Sequence, residues 1–318
     1  MLSLDEIESA ADIVRAAMPS TAQYAWPLLA LRTGCETWVK HENHTPTGAF
    51  KVRGGLVFMD RLKRSAPRTA GVISATRGNH GQSIALAAAR NGIAATIVVP
   101  HGNSVEKNAA MRAFRAELVE AGHDFDAAKE TAMRLADERG LVMVPSFHRD
   151  LVAGVASYAL ELFRAAPPLD TVYVPIGLGS GICGTIAVRD ALGLKTKIVG
   201  VVSTEAPAYA LSFAAGKVVP TNSADTMADG MAVRGPDAEA LDIILKGADR
   251  IVQVSDAEIG TAMRAYYEDT HQLTEGAGAA ALAALLQERD RASGQRIGLI
   301  LSGGNIDRPV YLRVLAGG

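Results

Sequence analysis

The residues best equipped for chemistry lie between His41 and Arg53, in the run H-E-N-H-T-P-T-G-A-F-K-V-R. Lys51 is its centre. Thr45, Pro46, Thr47 and Gly48 are turn formers, and apolar residues follow at Phe50, Leu56, Val57, Met59 and Leu62. The pattern predicts a helix over 48–64 with Lys51 in its first turn. The positive end of a helix dipole is a poor place for an ammonium group. Burial and nearby positive potential favour the neutral amine, a nucleophile that can form a Schiff base with an aldehyde. The same spacing describes a solvent-facing lysine at an ordinary helix start, so this motif alone leaves both readings open.

Three more loops share that character: T-R-G-N-H-G-Q at 76–82, G-L-G-S-G at 177–181 and S-G-G-N-I-D at 302–307. Gly177, Gly179 and Gly181 leave backbone N–H groups uncovered, and the helix expected after them offers its N-terminus. That combination cradles a phosphate. The loop is not G-x-G-x-x-G and no Walker lysine follows, so a dinucleotide site is the weaker reading. A tight turn with no ligand is the plain alternative. His44 and His148 lack metal-ligand spacing and read as ordinary loop residues.

The elements that must position these loops follow from periodicity. Ser3 and Glu6 form a capping box for a first helix with an apolar face of Leu4, Ile7, Val14 and Met18. Strands are predicted at 36–40, 71–75, 94–100, 117–120, 141–144, 171–176, 197–202, 250–254 and 296–301. Helices are predicted from the 76–82 turn to about 92, at 105–115, 125–139 and 151–163, from 181 to about 192, and at 206–216, 256–268 and 275–288. Residues 217–236 read as an irregular loop. The strands are apolar on both faces, so the sheet is expected to be parallel and covered on both sides. Ligands of such sheets bind beyond the carboxyl ends of the strands, where all four loops fall.

Composition narrows the partners. The chain has 318 residues and a net charge of −2, with a pI of about 6.4, so neither nucleic acid nor an anionic membrane is implied. Cys35 and Cys183 are far apart, which argues against a disulfide scaffold or structural zinc. The acidic N-terminus does not suit a signal peptide, and no apolar run reaches membrane-spanning length. A cytoplasmic α/β protein of two domains, or of one large unit, is expected.

Taken together, E-N-H-T-P-T-G-A-F-K-V-R-G around Lys51, G-N-H-G-Q at 78–82, the 177–181 loop, T-E-G-A-G-A at 274–279 and L-S-G-G-N-I-D at 301–307 resemble the pyridoxal-phosphate enzymes of the serine/threonine dehydratase family. This is the fold-type-II, tryptophan-synthase-β-like group that includes serine racemase. The motifs keep the family's order and span nearly the whole chain. The resemblance implies an α/β fold of two open, twisted, mostly parallel sheets covered by helices. Residues 1–70 and 148–318 would form a large domain that binds pyridoxal 5'-phosphate, and 71–147 a small mobile one. Lys51 would hold the cofactor aldehyde, Phe50 pack on the pyridine ring, and Asn79 bond the ring hydroxyl. Gly177, Leu178, Gly179, Ser180 and Gly181 would hold the phosphate, Ser302 would face the pyridine nitrogen, and Glu275 would help orient the ring. Thr76, Arg77, Gly78, Asn79, His80 and Gln82 would surround the amino-acid substrate. A homodimer is also implied, and loss of water from a 3-hydroxy amino acid such as 3-hydroxyaspartate, threonine or serine, with release of ammonia. A hydroxyectoine-pathway dehydratase, a synthase using an external nucleophile and a non-catalytic binder of a phosphate-bearing ligand are the competing readings.

Departures from the family pattern carry information. Arg77 stands where the family often has Ser or Gly, and in serine racemase that Ser is the second base. An arginine is always charged and cannot shuttle a proton, which disfavours racemisation. It could pair with a second substrate carboxylate, which suggests 3-hydroxyaspartate. Leu178 and Ser180 interrupt the usual glycine run. Ala153, Gly154, Val155, Ala156 and Ser157 replace a common Ala-Gly-Gln-Gly-Thr, which suggests an altered pocket wall. Val202 or Ser203 stands where the divalent-cation site of some relatives begins with Glu, and Glu205 comes slightly later. Magnesium therefore finds no supporting residue.

Overall fold

A computed structural model describes residues 2–317. The chain opens with α1 (Leu4–Arg15), β1 (Gln23–Ala25), α2 (Pro27–Thr33) and β2 (Glu36–His41), makes a tight turn at Glu42–His44 and enters α3 (Lys51–Ser65). Then follow β3 (Val72–Ala75), α4 (Asn79–Arg90), β4 (Ala95–Val99), α5 (Val105–Ala113), β5 (Glu117–Glu120), α6 (Phe125–Arg139) and β6 (Val142–Met143). The next part is α7 (Arg149–Ala165), β7 (Thr171–Pro175), α8 (Ser180–Ala191), β8 (Lys197–Ser203), α9 (Ala208–Ala215) and a tight turn at Asp229–Met231. It ends with α10 (Ala238–Gly247), β9 (Arg250–Val254), α11 (Asp256–Thr270), α12 (Gly276–Gln287), α13 (Arg289–Ala292), β10 (Arg296–Leu301) and α14 (Arg308–Leu315).

The strands build two sheets, ordered β1-β2-β10-β7-β8-β9 and β5-β4-β3-β6. Every pairing is parallel except that of β1 on β2. All residues of β3, β4 and β7 are buried, as parallel strands covered on both faces must be. Alternation along β7 divides the large sheet between two cores. Val172 and Val174 join the core under α3, α7 and α8, while Tyr173 joins the core under α11 and α12.

The predicted strands all form, and most predicted helices lie within a few residues of their expected bounds. The lysine helix differs at its start. It begins at Lys51 rather than at 48, because Gly48 turns through φ +67° and Ala49 bridges antiparallel to Gly303. Met18 lies beyond the end of α1 but is still buried. β1, α2, α10, α13 and α14 are additional to the predicted elements. In α2, Leu28 and Leu31 face outward, so the helical period of buried residues is lost.

A buried ionic cluster fixes the start of α3. The Arg53 guanidinium donates to both oxygens of Glu42 at 2.7 and 3.0 Å and to both oxygens of Glu161 at 2.8 and 2.9 Å. It also reaches Ser157 Oγ at 2.9 Å and Thr21 Oγ1 at 3.1 Å, and Lys40 Nζ completes the set on Glu161 at 2.6 Å. Two cations face two carboxylates, so the cluster is neutral, and its members tie β2, α3 and α7 together. Here the expectation of a pocket wall at 153–157 is overturned. This stretch packs α7 on α3 and α8: a Cβ at Gly154 would lie 2.2 Å from the Arg53 carbonyl oxygen, and one at Gly184 3.0 Å from the Ala156 nitrogen.

Removing one partner of a buried pair strands the other charge. Arg53→Met is expected to cost about 3–5 kcal/mol in urea unfolding. Arg64→Met, which breaks the exposed i,i+4 pair with Asp60, should stay within about 0.5 kcal/mol.

Candidate active site

The loops after β2, β7 and β10, the first turn of α4 and the N-terminus of α12 converge on one narrow recess. Phe50, Lys51, Asn79, the whole of 177–181, Glu275 and Ser302 line it together. Lys51 is partly buried, its amine 4.8 Å from the centre of the Phe50 ring and without a hydrogen-bond or ion-pair partner among the described residues. Burial lowers its pKa below the usual lysine value, and the charge of Glu275 opposes that shift. Its main-chain carbonyl accepts from Ser83 Oγ at 2.6 Å, which locks the first turn of α3 to α4.

The glycine loop is built around unused amides. The N–H groups of Gly177, Leu178, Gly179, Ser180 and Gly181 find no acceptor among the described residues, although the last three of these residues are buried. Their carbonyls are held from behind: Tyr209 Oη donates to Leu178 O at 2.9 Å and Tyr158 Oη to Gly181 O at 2.8 Å. Two glycines are required by the space. A Cβ at Gly177 would lie 2.3 Å from the Gly230 carbonyl oxygen, and Gly179 sits at φ +102° against Ala240. Successive free amides at the start of α8 make a dianion cradle.

At the 76–82 loop, Thr76 Oγ1 accepts from the amides of Gly78 at 2.9 Å and Gly81 at 3.3 Å. The amides of Arg77, Asn79 and His80 are left without an acceptor among the described residues. Of this loop only Asn79 lines the recess. Its Nδ2 donates to Glu275 Oε1 at 2.6 Å, and its Oδ1 accepts from Asn305 Nδ2 at 2.9 Å. His80 is buried with Nε2 unpartnered, and burial together with the nearby Lys51 charge pushes its pKa down to about 3. The imidazole is therefore neutral at physiological pH. Arg77 is exposed and forms no ion pair among the described residues. Gln82 is buried inside α4 and does not reach the recess.

Ser302 follows the last residue of β10 and accepts the Phe50 N–H on its carbonyl at 3.0 Å; the last helix is capped at Asp307, so Ser302 is not its cap. Glu275 occupies the N-cap position of α12 but makes no capping bond with its carboxylate. Burial raises its pKa above the usual carboxylate value, offset chiefly by Lys107. His44 stacks on His41 and shares a hydrogen with Gln272, and His148 caps α7. Ser203 ends β8 and accepts the Glu205 amide. Among the described residues no three His, Cys, Asp or Glu side chains cluster as a metal site would.

Sequence reasoning missed Gly230, Met231 and Lys107. The first two line the recess from the stretch read as an irregular loop, where the D-G pair was only a breaker signal. Lys107 sits behind Glu275, and an isolated lysine in a surface-type helix gives no signal.

A family model for pyridoxal-phosphate dependent enzyme matches residues 20–303. The L-threonine ammonia-lyase of Thermotoga maritima is 33% identical over 316 residues, covering 99% of this chain and 78% of that protein. The L-threo-3-hydroxyaspartate ammonia-lyase of a Pseudomonas species is 32% identical over 316 residues, covering 99% of both chains. The structure of maize serine racemase superposes with a TM-score of 0.92 at 26% identity, over 99% of this chain and 97% of that one.

A lowered pKa leaves more of the Lys51 amine unprotonated at neutral pH. Trace labelling of the cofactor-free protein with a small aldehyde and borohydride near pH 7 should modify Lys51 ahead of the exposed Lys217. The buried Lys40 should stay unlabelled. Peptide mass mapping reads the order.

Proposed function

The chain belongs to the pyridoxal-phosphate-dependent enzyme family and has its fold-type-II architecture, and from there we propose that it is an ammonia-lyase acting on 3-hydroxy amino acids, with 3-hydroxyaspartate as the favoured substrate. The observation that carries this reading is one recess that holds a desolvated lysine amine and a row of free amides. The residues present fit the cofactor: an aldehyde partner in Lys51, a flat apolar wall in Phe50, a phosphate cradle at 177–181 and a hydroxyl at Ser302. When bound, pyridoxal phosphate supplies an electron sink for the bonds at the substrate α-carbon.

The chain's own residues do the rest. Lys51, released as a neutral amine, takes the α-proton. Asn79 and Glu275 would orient the ring, and the free amides at the start of α4 would receive the α-carboxylate. Neutral His80 adds no charge that would compete for it. Ser302 presents a hydroxyl where a carboxylate would keep the ring nitrogen protonated. A weaker sink favours prompt loss of the β-hydroxyl over transamination. The released enamine hydrolyses to a 2-oxo acid and ammonia.

Arg77 gives the substrate preference. It is a permanent cation next to buried Thr76, without an ion-pair partner among the described residues, and can pair with a second carboxylate. Relatives of both kinds are comparably similar, a hydroxyaspartate ammonia-lyase at 32% and threonine ammonia-lyases at 33% and 36% identity, so the preference rests on Arg77. We read the molecule as a cytoplasmic homodimer in which 71–147 moves as a small domain. The dimer reading is supported by exposed apolar side chains, Leu28 and Leu31 of α2, Tyr267 of α11 and Leu312 of α14, on helices that pack together as α2 and α14 against α11.

The purified protein should be yellow, and borohydride should bleach it and fix the label on Lys51. Lys51→Ala should lower turnover by about 10^2–10^4-fold. In a panel scored by 2-oxo acid release, Arg77→Ala should lower kcat/KM for 3-hydroxyaspartate by about 10–100-fold, the worth of a charge-assisted bond. Threonine and serine turnover should change little. Equal loss on all three removes the distal-carboxylate role. Ser302→Asp should raise the share of transamination products; an unchanged share counts against the role given to Ser302.

A further inference from the structure

We propose that Lys107 is a positioning residue, reaching from the four-stranded unit to Glu275 and keeping that carboxylate charged and fixed so that Asn79 is aimed into the recess. The proposal rests on the lyase reading only for what the recess binds.

Lys107 stands in the first turn of α5, with its side chain only 7% exposed. Its Nζ lies 3.3 Å from Asp229 Oδ2 and 3.6 Å from Glu275 Oε2. The two acids come from the turn before α10 and from the start of α12, so one buried cation joins three separate segments across the cleft. Its aliphatic stem covers the substrate loop: a Cβ at Gly78 would lie 2.3 Å from Lys107 Cδ. The same helix turn is anchored twice more to the large-sheet side. Ser104 Oγ, which caps α5 by accepting the Lys107 amide, donates to Asp307 Oδ1 at 2.5 Å. Glu106 accepts the Arg308 amide at 2.9 Å.

Glu275 needs this cation. Its Oε1 holds Asn79, but its Oε2 is buried without a hydrogen bond. The charged groups facing it are Lys107 from α5, Asp229 from the tight turn and Lys51 from α3, with Asp307 acting on Lys107; Asn79 from α4 is the neutral donor. Once Lys51 commits its amine to the cofactor or acts as a neutral base, Lys107 is the cation that remains. A protonated Glu275 would lose the charge-assisted bond that sets the Asn79 amide. The pKa of Glu275 lies above its ordinary value because of burial, and Lys107 is the strongest influence restoring it. For an acid shifted upward on folding, the folded state favours the proton, and the carboxylate destabilises as pH rises through the folded value. Removing Lys107 enlarges that destabilisation.

The test compares Lys107→Met, Lys107→Arg, Glu275→Gln and the Lys107→Met/Glu275→Gln double variant. In the cofactor-free protein, the melting-temperature deficit of Lys107→Met should be large near pH 8 and shrink towards about pH 5. In the double variant the deficit should not depend on pH. Asp229, 43% exposed, remains hydrated in both. In the loaded enzyme, Lys107→Met should lower kcat by about 10–100-fold, the usual penalty of a misplaced group, with a smaller change in KM. The acid limb of its kcat/KM profile should move to higher pH, and Lys107→Arg should recover most of the loss. Should Lys107→Met not fold, Lys107→Gln, which keeps a polar tip, serves the same comparison. A melting deficit equal at every pH, with an unmoved acid limb, overturns the proposal. Absence of colour and of a Lys51 label would overturn the lyase reading instead, and the cofactor-free melting series would still decide the role of Lys107.

Discussion

The parallel pairing of β2 with β10 is the constraint on which this molecule depends. Six residues of β10 register against six of β2, ending with His41 opposite Leu301. Both strands therefore stop at the same level, and the two loops that follow leave the sheet side by side, although some 250 positions separate them in sequence. The Ala49–Gly303 bridge, the Phe50 amide on the Ser302 carbonyl and the Gly304 amide on the Gly48 carbonyl continue the pairing past the sheet. Lys51 and Ser302 face one recess because main-chain hydrogen bonds leave their loops no independent freedom. A backbone seam positions side chains more tightly than contacts between flexible side chains would.

The electrostatics of the recess follow from that geometry. Lys51 starts a helix, where the dipole and desolvation act together against its charge. Two residues later Arg53 is wholly buried but keeps its charge, because Glu42 and Glu161 meet every edge of its guanidinium. The contrast separates a cation held by ion pairs from one with none in the same helix turn. One is matched by carboxylates at hydrogen-bond distance. The other is given an aromatic ring and empty space.

The sheet class and the four functional loops were legible from the chain because they rest on local signals. Strands such as 171–176 are wholly apolar, and glycine runs break the pattern at their ends. Lys51 and the 177–181 loop stood out for that reason, while Ser302 was singled out through the resemblance of the whole motif set. The boundary of α3 was not legible, because Gly48 and Ala49 are drawn into a bridge with a loop remote in sequence. The 153–157 stretch was misplaced on the pocket wall because the reading rested on the family pattern it departs from, while its small residues serve the close approach of α7 to α3 and α8. Lys107 was invisible for a related reason. Its meaning depends on Asp229 and Glu275, more than a hundred residues away, and no local pattern encodes such a meeting.

Several unpartnered hydrogen-bonding groups gather around the recess and carry an argument about stability, although others, such as Tyr266 Oη and Tyr311 Oη, lie elsewhere in the fold. Five amides of the glycine loop, the first amides of α4, His80 Nε2 and Glu275 Oε2 all lie in or beside one region. Each buried polar group without a partner costs about 1–3 kcal/mol. A sequence selected for stability alone would cap these helix starts, as Ser3, Ser104, Asp124 and Ser255 cap others in the same chain. The starts of α4 and α8 instead carry glycine, and behind them Thr76, Tyr158 and Tyr209 hold the loops in place without filling the amides. Rigid backbone with its donors left open is the arrangement that an anionic ligand completes, and binding to the folded state then offsets the local deficit by mass action.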